Sequence, residues 1–228
     1  MRVGLFDSGI GGLTVLRTLM KKYPNNDYIY YGDTLNVPYG NKTIEELNEL
    51  SKKDVEYLIN KNVDIIIVAC GTVSSNCLDY LKEIFDIPIY GVVMPTIEYI
   101  NNSDYKNIGV LATNATINSH IFKNNINKNV YEIPAPILVD LIEKNETSYI
   151  EEVLHEYLDK YKDKIDALIL GCTHYPLIKD YLKHVIDVDI IEMGDYIEVE
   201  EGSSKSLDIN FSRTDKVIDS NIDIILNS

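Results

Sequence analysis

Three cysteines stand in the 228-residue chain, Cys70, Cys77 and Cys172. Two of them sit where a strand must turn. Cys70 follows the apolar run of IIIVACGTVSSN (Ile65 to Asn76), and Cys172 follows that of ALILGCTHYPLI (Ala167 to Ile178). Each thiol ends a strand candidate, precedes a threonine within two residues and opens a helical pattern. A helix N-terminus offers unpaired N–H groups and a positive dipole end, which favour thiolate. A lone buried cysteine is usually a small hydrophobe; a matched pair suggests more. Two thiols facing one carbon suit the inversion of a stereocentre. One thiolate removes a proton from one face, and the opposite thiol returns one to the other. Converging backbone N–H donors would stabilise the carbanion-like charge. No lysine occupies a comparable turn, so a Schiff-base cofactor is not suggested.

Other residues widen or narrow this reading. His174 follows Cys172 by two, and a Cys–His pair can act as an activated nucleophile. That reading predicts a single-thiol hydrolase or isomerase and leaves Cys70 without a role. The same pair lacks the further ligands of a metal site; His120, His155 and His184 lie in surface-like helical patterns. Cys77 lies within a helical pattern and reads as structural. The turn Asp7-Ser8-Gly9-Ile10-Gly11-Gly12 is not G-x-G-x-x-G, and no G-x-x-x-x-G-K-[ST] occurs. It is either a tight packing turn or a site whose backbone N–H groups hold a carboxylate, with Asp7 placed to orient a base. The loop Pro38-Tyr39-Gly40 falls in a comparable place.

The elements that must position these residues follow from periodicity. Strand candidates are Val3–Phe6, Asp27–Tyr31, Ile65–Ala69, Pro88–Val93, Asn107–Ala112, Val130–Ile133, Ala167–Leu170 and Asp189–Glu192. Between them, apolar residues at three- and four-residue spacing mark helices over Thr14–Tyr23, Thr43–Lys61, Ser74–Phe85, Ala115–Asn125, Tyr149–Tyr161 and Leu177–His184. Thr43 followed by Glu46 reads as a capping box. The alternation predicts an α/β protein of mainly parallel strands covered on both faces. In such sheets ligands bind at the carboxyl ends of strands, where all four turns fall. The cysteines lie 172 − 70 = 102 positions apart, about one α/β lobe. Two similar lobes are expected with the site between them: residues 1–94 with 202–228, and residues 95–201. The polar, Asp-rich segment Ser203–Ser228 carries one apolar patch, Ile222–Leu226, read as a final helix packing on the first lobe.

Composition excludes some classes. Twenty-one basic against 36 acidic residues give a net charge of −15, which argues against a nucleic-acid partner but not against a small anionic ligand. The odd cysteine count does not suggest a disulfide framework. MRVGLFDSGIGG has no apolar signal-peptide core, and no run approaches the ~20 apolar residues of a membrane helix. A soluble protein of the reducing cytoplasm is expected.

The chain closely resembles glutamate racemase, of the cofactor-independent aspartate/glutamate racemase superfamily. The resemblance rests on GLFDSGIGGLTVL, YYGDTLNVPYGNKT, VACGTVSSN, IYGVVMPT, LATNATINS, PAPILVDLIE and LGCTHYPLI. It implies interconversion of L- and D-glutamate for peptidoglycan without pyridoxal phosphate or metal, by two lobes enclosing an amino acid; the family often forms homodimers. By resemblance, Cys70 and Cys172 are the acid/base pair, Asp7 assists the first thiol, and Glu143 and His174 assist the second. Asp7, Ser8, Tyr39, Gly40, Gly71, Thr72, Thr173 and His174 occupy substrate-binding positions. Asp7 favours glutamate over aspartate, whose racemases usually lack it. One position departs from the family's Cys-Asn-Thr pattern: Gly71 keeps the backbone N–H but has no amide side chain. A lost hydrogen bond to a charged ligand is worth roughly 1.5–3 kcal/mol, or about tenfold to a hundredfold in affinity or rate. Glycine also adds backbone freedom to the turn. Gly71 keeps open a member that binds an amino acid or a protein partner without turnover.

Overall fold

The structure, a computed structural model, describes residues 1–214 and 216–227. Among the described residues nine strands are present: β1 (Arg2–Asp7), β2 (Asp27–Gly32), β3 (Ile65–Val68), β4 (Ile89–Gly91), β5 (Asn107–Ala112), β6 (Asn129–Pro134), β7 (Ala167–Leu170), β8 (Asp189–Glu192) and β9 (Ser206–Phe211). They form two all-parallel sheets, ordered β4-β3-β1-β2-β9 and β6-β5-β7-β8. Parallel strands require crossovers, which the intervening helices supply. The inner strands β3 and β7 are almost wholly buried, as their unbroken Ile, Val and Leu runs require.

Strand order locates the site. In the first sheet the chain leaves β1 toward β2 on one side and returns to β3 on the other. In the second it leaves β5 toward β6 and returns to β7. Each sheet therefore has a switch point, β1/β3 and β5/β7, and crevices open at the carboxyl ends beside such points. Asp7 ends β1, and Cys70 follows β3. Thr113 follows β5, and Cys172 follows β7. The register delivers them side by side: Phe6 pairs with Val68, and Leu111 with Leu170. One apolar cluster spans both sheets, from Leu5, Leu13 and Leu16 to Val110, Ile169 and Ile191, so the two carboxyl-end surfaces are held against a common core.

The helices follow local chemistry with some revisions. Ile44–Asn60 begins at the expected capping box: Thr43 Oγ1 accepts from Glu46 N–H at 3.2 Å, and Glu46 accepts from Thr43 N–H at 2.8 Å. Such a cap is worth about 1 kcal/mol. The expected helix over Ser74–Phe85 is two helices, Gly71–Asn76 and Leu78–Ile84, and Cys77 is buried at their junction rather than within one. Ala115–Asn125 likewise breaks at His120, whose φ of 52° is left-handed. The strand expected over Pro88–Val93 stops at Gly91, because Val93 already starts the helix Val93–Asn102. Pro95 fits in that helix's first turn, where no N–H is needed.

Three longer elements escaped the periodicity reading. Helices Val93–Asn102 and Ile137–Glu143 fall where no helix was expected. Strand β9 lies in the polar C-terminal segment. Its apolar alternation of Leu207, Ile209 and Phe211 is the period-two signal of a half-exposed edge strand. The C-terminal helix, Lys216–Asn227, buries Ile218 and Ile225 and packs on the helix Leu13–Lys22, where Arg17 Nη1 donates to Ile225 O at 3.2 Å.

Candidate active site

The half around Cys70 starts from Asp7. Its side chain is fully buried, so its charge must be met by donors. Asp7 Oδ2 accepts from Gly9 N–H at 3.1 Å and Gly12 N–H at 3.0 Å. Its Oδ1 accepts from Thr173 Oγ1, on the other half, at 3.1 Å. Glycine is required here for close approach: a Cβ on Gly12 would lie 2.5 Å from Asp7 Cβ, and one on Gly11 would lie 2.7 Å from His174 Nδ1. Three backbone donors of this turn are thus committed, Gly9 and Gly12 N–H to Asp7 and Ile10 N–H, at 3.2 Å, to Glu143. The sequence reading had left them free for a ligand.

Cys70 is 4% exposed and caps the helix Gly71–Asn76. Its Sγ lies 4.0 Å from Ser8 Oγ, itself buried. Burial, reinforced by the Asp7 charge, pushes the Cys70 thiol well up, although backbone N–H groups of Val73 and Thr72 pull the other way. The expectation that the helix terminus makes this sulfur a thiolate is therefore corrected: desolvation outweighs the terminus.

The half around Cys172 is a chain of contacts. Cys172 Sγ lies 3.6 Å from His174 Nδ1, and His174 Nε2 lies 2.5 Å from Glu143 Oε1. Burial alone would lower the His174 value. The bonds to Cys172 and Glu143 reverse this and leave it well above the ordinary imidazole range, so this histidine keeps its proton. Glu143 comes from the last turn of Ile137–Glu143 and is 14% exposed, against 1% for His174.

Between the halves lie the remaining residues. A Cβ placed on Gly71 would meet the Gly171 carbonyl oxygen at 2.4 Å. The residues next to the two cysteines are therefore in direct backbone contact, and Gly71 is needed for proximity rather than for an unusual φ. Thr72 Oγ1 and Thr113 Oγ1 are 2.9 Å apart, and Thr113 Oγ1 donates to Thr116 Oγ1 at 3.1 Å. Thr113 and Thr116 were missed as site residues; the signal was a threonine directly after β5, at the same strand-end position as the two cysteines. Gly40 packs against Thr113, where a Cβ would lie 2.7 Å from Thr113 Cβ. Tyr39 does not turn its phenol to the cysteines. Its hydroxyl lies 2.7 Å from Asp33 Oδ2 and 3.1 Å from Asp54 Oδ2. Burial and then the Asp33 charge push the Asp54 carboxyl well up, so it holds a proton in this pair.

Cys70, Cys172, Asp7, Ser8, Gly71, Thr72, Thr173, His174 and Glu143 converge, with Gly40 at the margin. His120, His155 and His184 lie on exposed surface, with side chains 52%, 42% and 66% exposed. Among the described residues no group of three or more His, Cys, Asp or Glu side chains is arranged to hold a metal ion. Among them, too, no helix is long and apolar enough to cross a membrane.

Paired parallel sheets with a strand-end thiol at each switch point have the form of an isomerase of the racemase class. The comparisons agree: the profile of the Asp/Glu/Hydantoin racemase family matches residues 16–196, and the chain belongs to that family. Among relatives, a glutamate racemase of Hydrogenobaculum sp. is 40% identical, with 86% of this chain and 80% of that one covered. One of Aquifex aeolicus is 37% identical, covering 99% and 94%. Among solved structures, glutamate racemase from Francisella tularensis in complex with D-glutamate superposes with a TM-score of 0.86 at 32% identity, covering 100% and 94%. The Aquifex pyrophilus enzyme gives 0.85 at 35%, covering 100% and 95%.

Proposed function

We propose that this racemase interconverts L- and D-glutamate by a two-thiol mechanism, supplying D-glutamate for peptidoglycan in the cytoplasm. The observation that carries the reading is the backbone contact between Gly71 and Gly171, which brings two cysteine turns from opposite sheets to one place. In this reading Cys70 and Cys172 exchange protons with opposite faces of the Cα carbon. Asp7 orients the Cys70 turn and, through Thr173, ties it to the other half. His174, steadied by Glu143, faces the Cys172 sulfur at 3.6 Å. Ser8, Gly40, Gly71, Thr72, Thr173 and the Tyr39 backbone surround the amino acid. The lobes are residues 1–94 with 202–228, and 95–201. The named substrates of the relatives and, by resemblance, the presence of Asp7 in the glycine turn support glutamate over aspartate.

The reaction demands carbanion character at Cα. A raised Cys70 thiol suits the role of proton donor, and a thiol next to an imidazolium suits that of base. Circular dichroism of L- and D-glutamate, with aspartate alongside, tests the reading. Signal decay to zero from both glutamate enantiomers is expected. Decay with aspartate alone, or binding of glutamate with no decay, would overturn it.

A further inference from the structure

One buried acid has no part in the mechanism above. Asp54, on the helix Ile44–Asn60, is 2% exposed, and Asp33 and Tyr39 beside it are 3% and 1% exposed. The Tyr39 hydroxyl lies 2.7 Å from Asp33 Oδ2 and 3.1 Å from Asp54 Oδ2. A phenol carries one hydrogen and cannot donate to both. Asp33 is equipped as the acceptor, since Asn36 Nδ2 also donates to its two oxygens, at 3.1 and 2.9 Å. For the Asp54 side chain the Tyr39 hydroxyl is the one hydrogen-bond partner among the described residues. A buried carboxylate with so little compensation is costly, so Asp54 is the neutral acid and donates to the phenol oxygen. Burial, with the Asp33 charge second, raises its carboxyl in agreement.

These bonds reach the site through the backbone. Asp33 follows β2, and its N–H donates to Asp7 O at 2.9 Å. Tyr39 and Gly40 open a short turn in which Lys42 N–H donates to Tyr39 O at 3.1 Å. Gly40 lies so near Thr113, which follows β5 of the other sheet, that a Cβ on it would meet Thr113 Cβ at 2.7 Å. We infer that Asp54 is a positioning residue: donating to Tyr39, which donates to Asp33, it pins the Tyr39–Gly40 backbone against Thr113 as a wall of the amino-acid pocket. Its effect on turnover rests on the glutamate reading above; the anchor itself does not. Asp54 touches no substrate and keeps its proton throughout. The position requires a neutral donor rather than a charge, so an amide can replace it and a hydrocarbon cannot. The cysteine turns are held by other bonds, to Asp7 and between Gly71 and Gly171. Loss of the anchor therefore loosens substrate binding more than it slows the proton transfers.

The anchor is tested first without substrate. At neutral pH the infrared difference between wild type and Asp54→Asn should carry the carbonyl stretch of a protonated carboxylic acid; its absence overturns the neutral donor. Exchange of the Lys42 amide with water is read by NMR against that of Ile169 in the buried strand β7. It should quicken roughly tenfold or more in Asp54→Leu and stay within about twofold of wild type in Asp54→Asn. Asp54→Ala takes the place of the leucine variant should that one not fold. Equal exchange in the hydrocarbon and amide variants overturns the anchor whatever the enzyme's substrate. With glutamate, Asp54→Leu should raise KM roughly tenfold or more and keep kcat within about threefold, and Asp54→Asn should restore KM. A lowered thermal midpoint with unchanged KM in Asp54→Leu overturns the positioning role and leaves a merely structural one. A wild type without racemisation, whose Lys42 exchange still separates the two variants, supports the anchor and counts against the glutamate reading alone.

Discussion

The two cysteine turns look alike in sequence and differ in what surrounds the sulfur. Cys70 is desolvated beside a buried carboxylate, and its thiol is pushed up. Cys172 faces an imidazole whose value is raised by its bonds to Cys172 itself and to a partly exposed glutamate. One half is sealed and the other connected. The lesson is that a strand-end thiol at a helix start has no fixed chemistry. The balance of desolvation, nearby charge and hydrogen bonds sets it, and a reaction that needs an acid on one side and a base on the other uses that inequality.

The comparison breaks most visibly if either sulfur is removed. Cys70→Ser and Cys172→Ser should each lower kcat by about 10²–10⁴ with little change in thermal midpoint, measured by circular dichroism at 25 °C. A near-wild-type rate in either variant removes the pairing. Asp7→Asn comes next. An amide cannot accept from Gly9, Gly12 and Thr173 together, and a buried donor left unpaired costs about 1–3 kcal/mol. The thermal midpoint should fall by several degrees and racemisation with it, because Asp7 makes one of the bonds between the halves.

Glu143→Gln sharpens the connected half. His174 has a raised folded value, so its stabilisation is complete below its unfolded value, near 6.5. That stabilisation is lost as pH rises through the folded value, since the folded state there binds the extra proton. Wild-type stability should therefore decline with pH above neutrality, and the decline should flatten in Glu143→Gln when thermal midpoints are followed across pH. Gly71→Ala gives the smallest effect. Its methyl must displace the Gly171 carbonyl, and overpacking of this kind costs about 1–3 kcal/mol, so kcat should fall by roughly tenfold or more. An unchanged or faster Gly71→Ala enzyme would show that the turns separate freely.

Much of this was legible in the sequence. Strands β5, β7 and β8 match the expected ranges end to end, for β5 and β7 because buried parallel strands carry an uninterrupted signal. Both cysteine turns were located from that signal alone. What stayed hidden depends on tertiary contact. The sign of the Cys70 shift comes from desolvation in the packed interior. The commitment of the Gly9 and Gly12 donors to Asp7 requires the fold of the turn. The turning away of the Tyr39 phenol depends on Asp33 and Asp54, which periodicity gives no reason to pair. Gly71 read as loss of a side chain and added looseness; in the structure it is a point of close backbone approach. β9 was missed because an edge strand needs only every second residue to be apolar.

The central claim is that two thiols serve opposite faces of one carbon. Its most direct test follows Cα–H exchange of each glutamate enantiomer in D₂O with Cys70→Ser and Cys172→Ser. The account predicts that neither variant racemises appreciably and that each still exchanges deuterium into one enantiomer, a different one for each variant. Exchange of the same enantiomer by both variants, or racemisation by either near the wild-type rate, would contradict it.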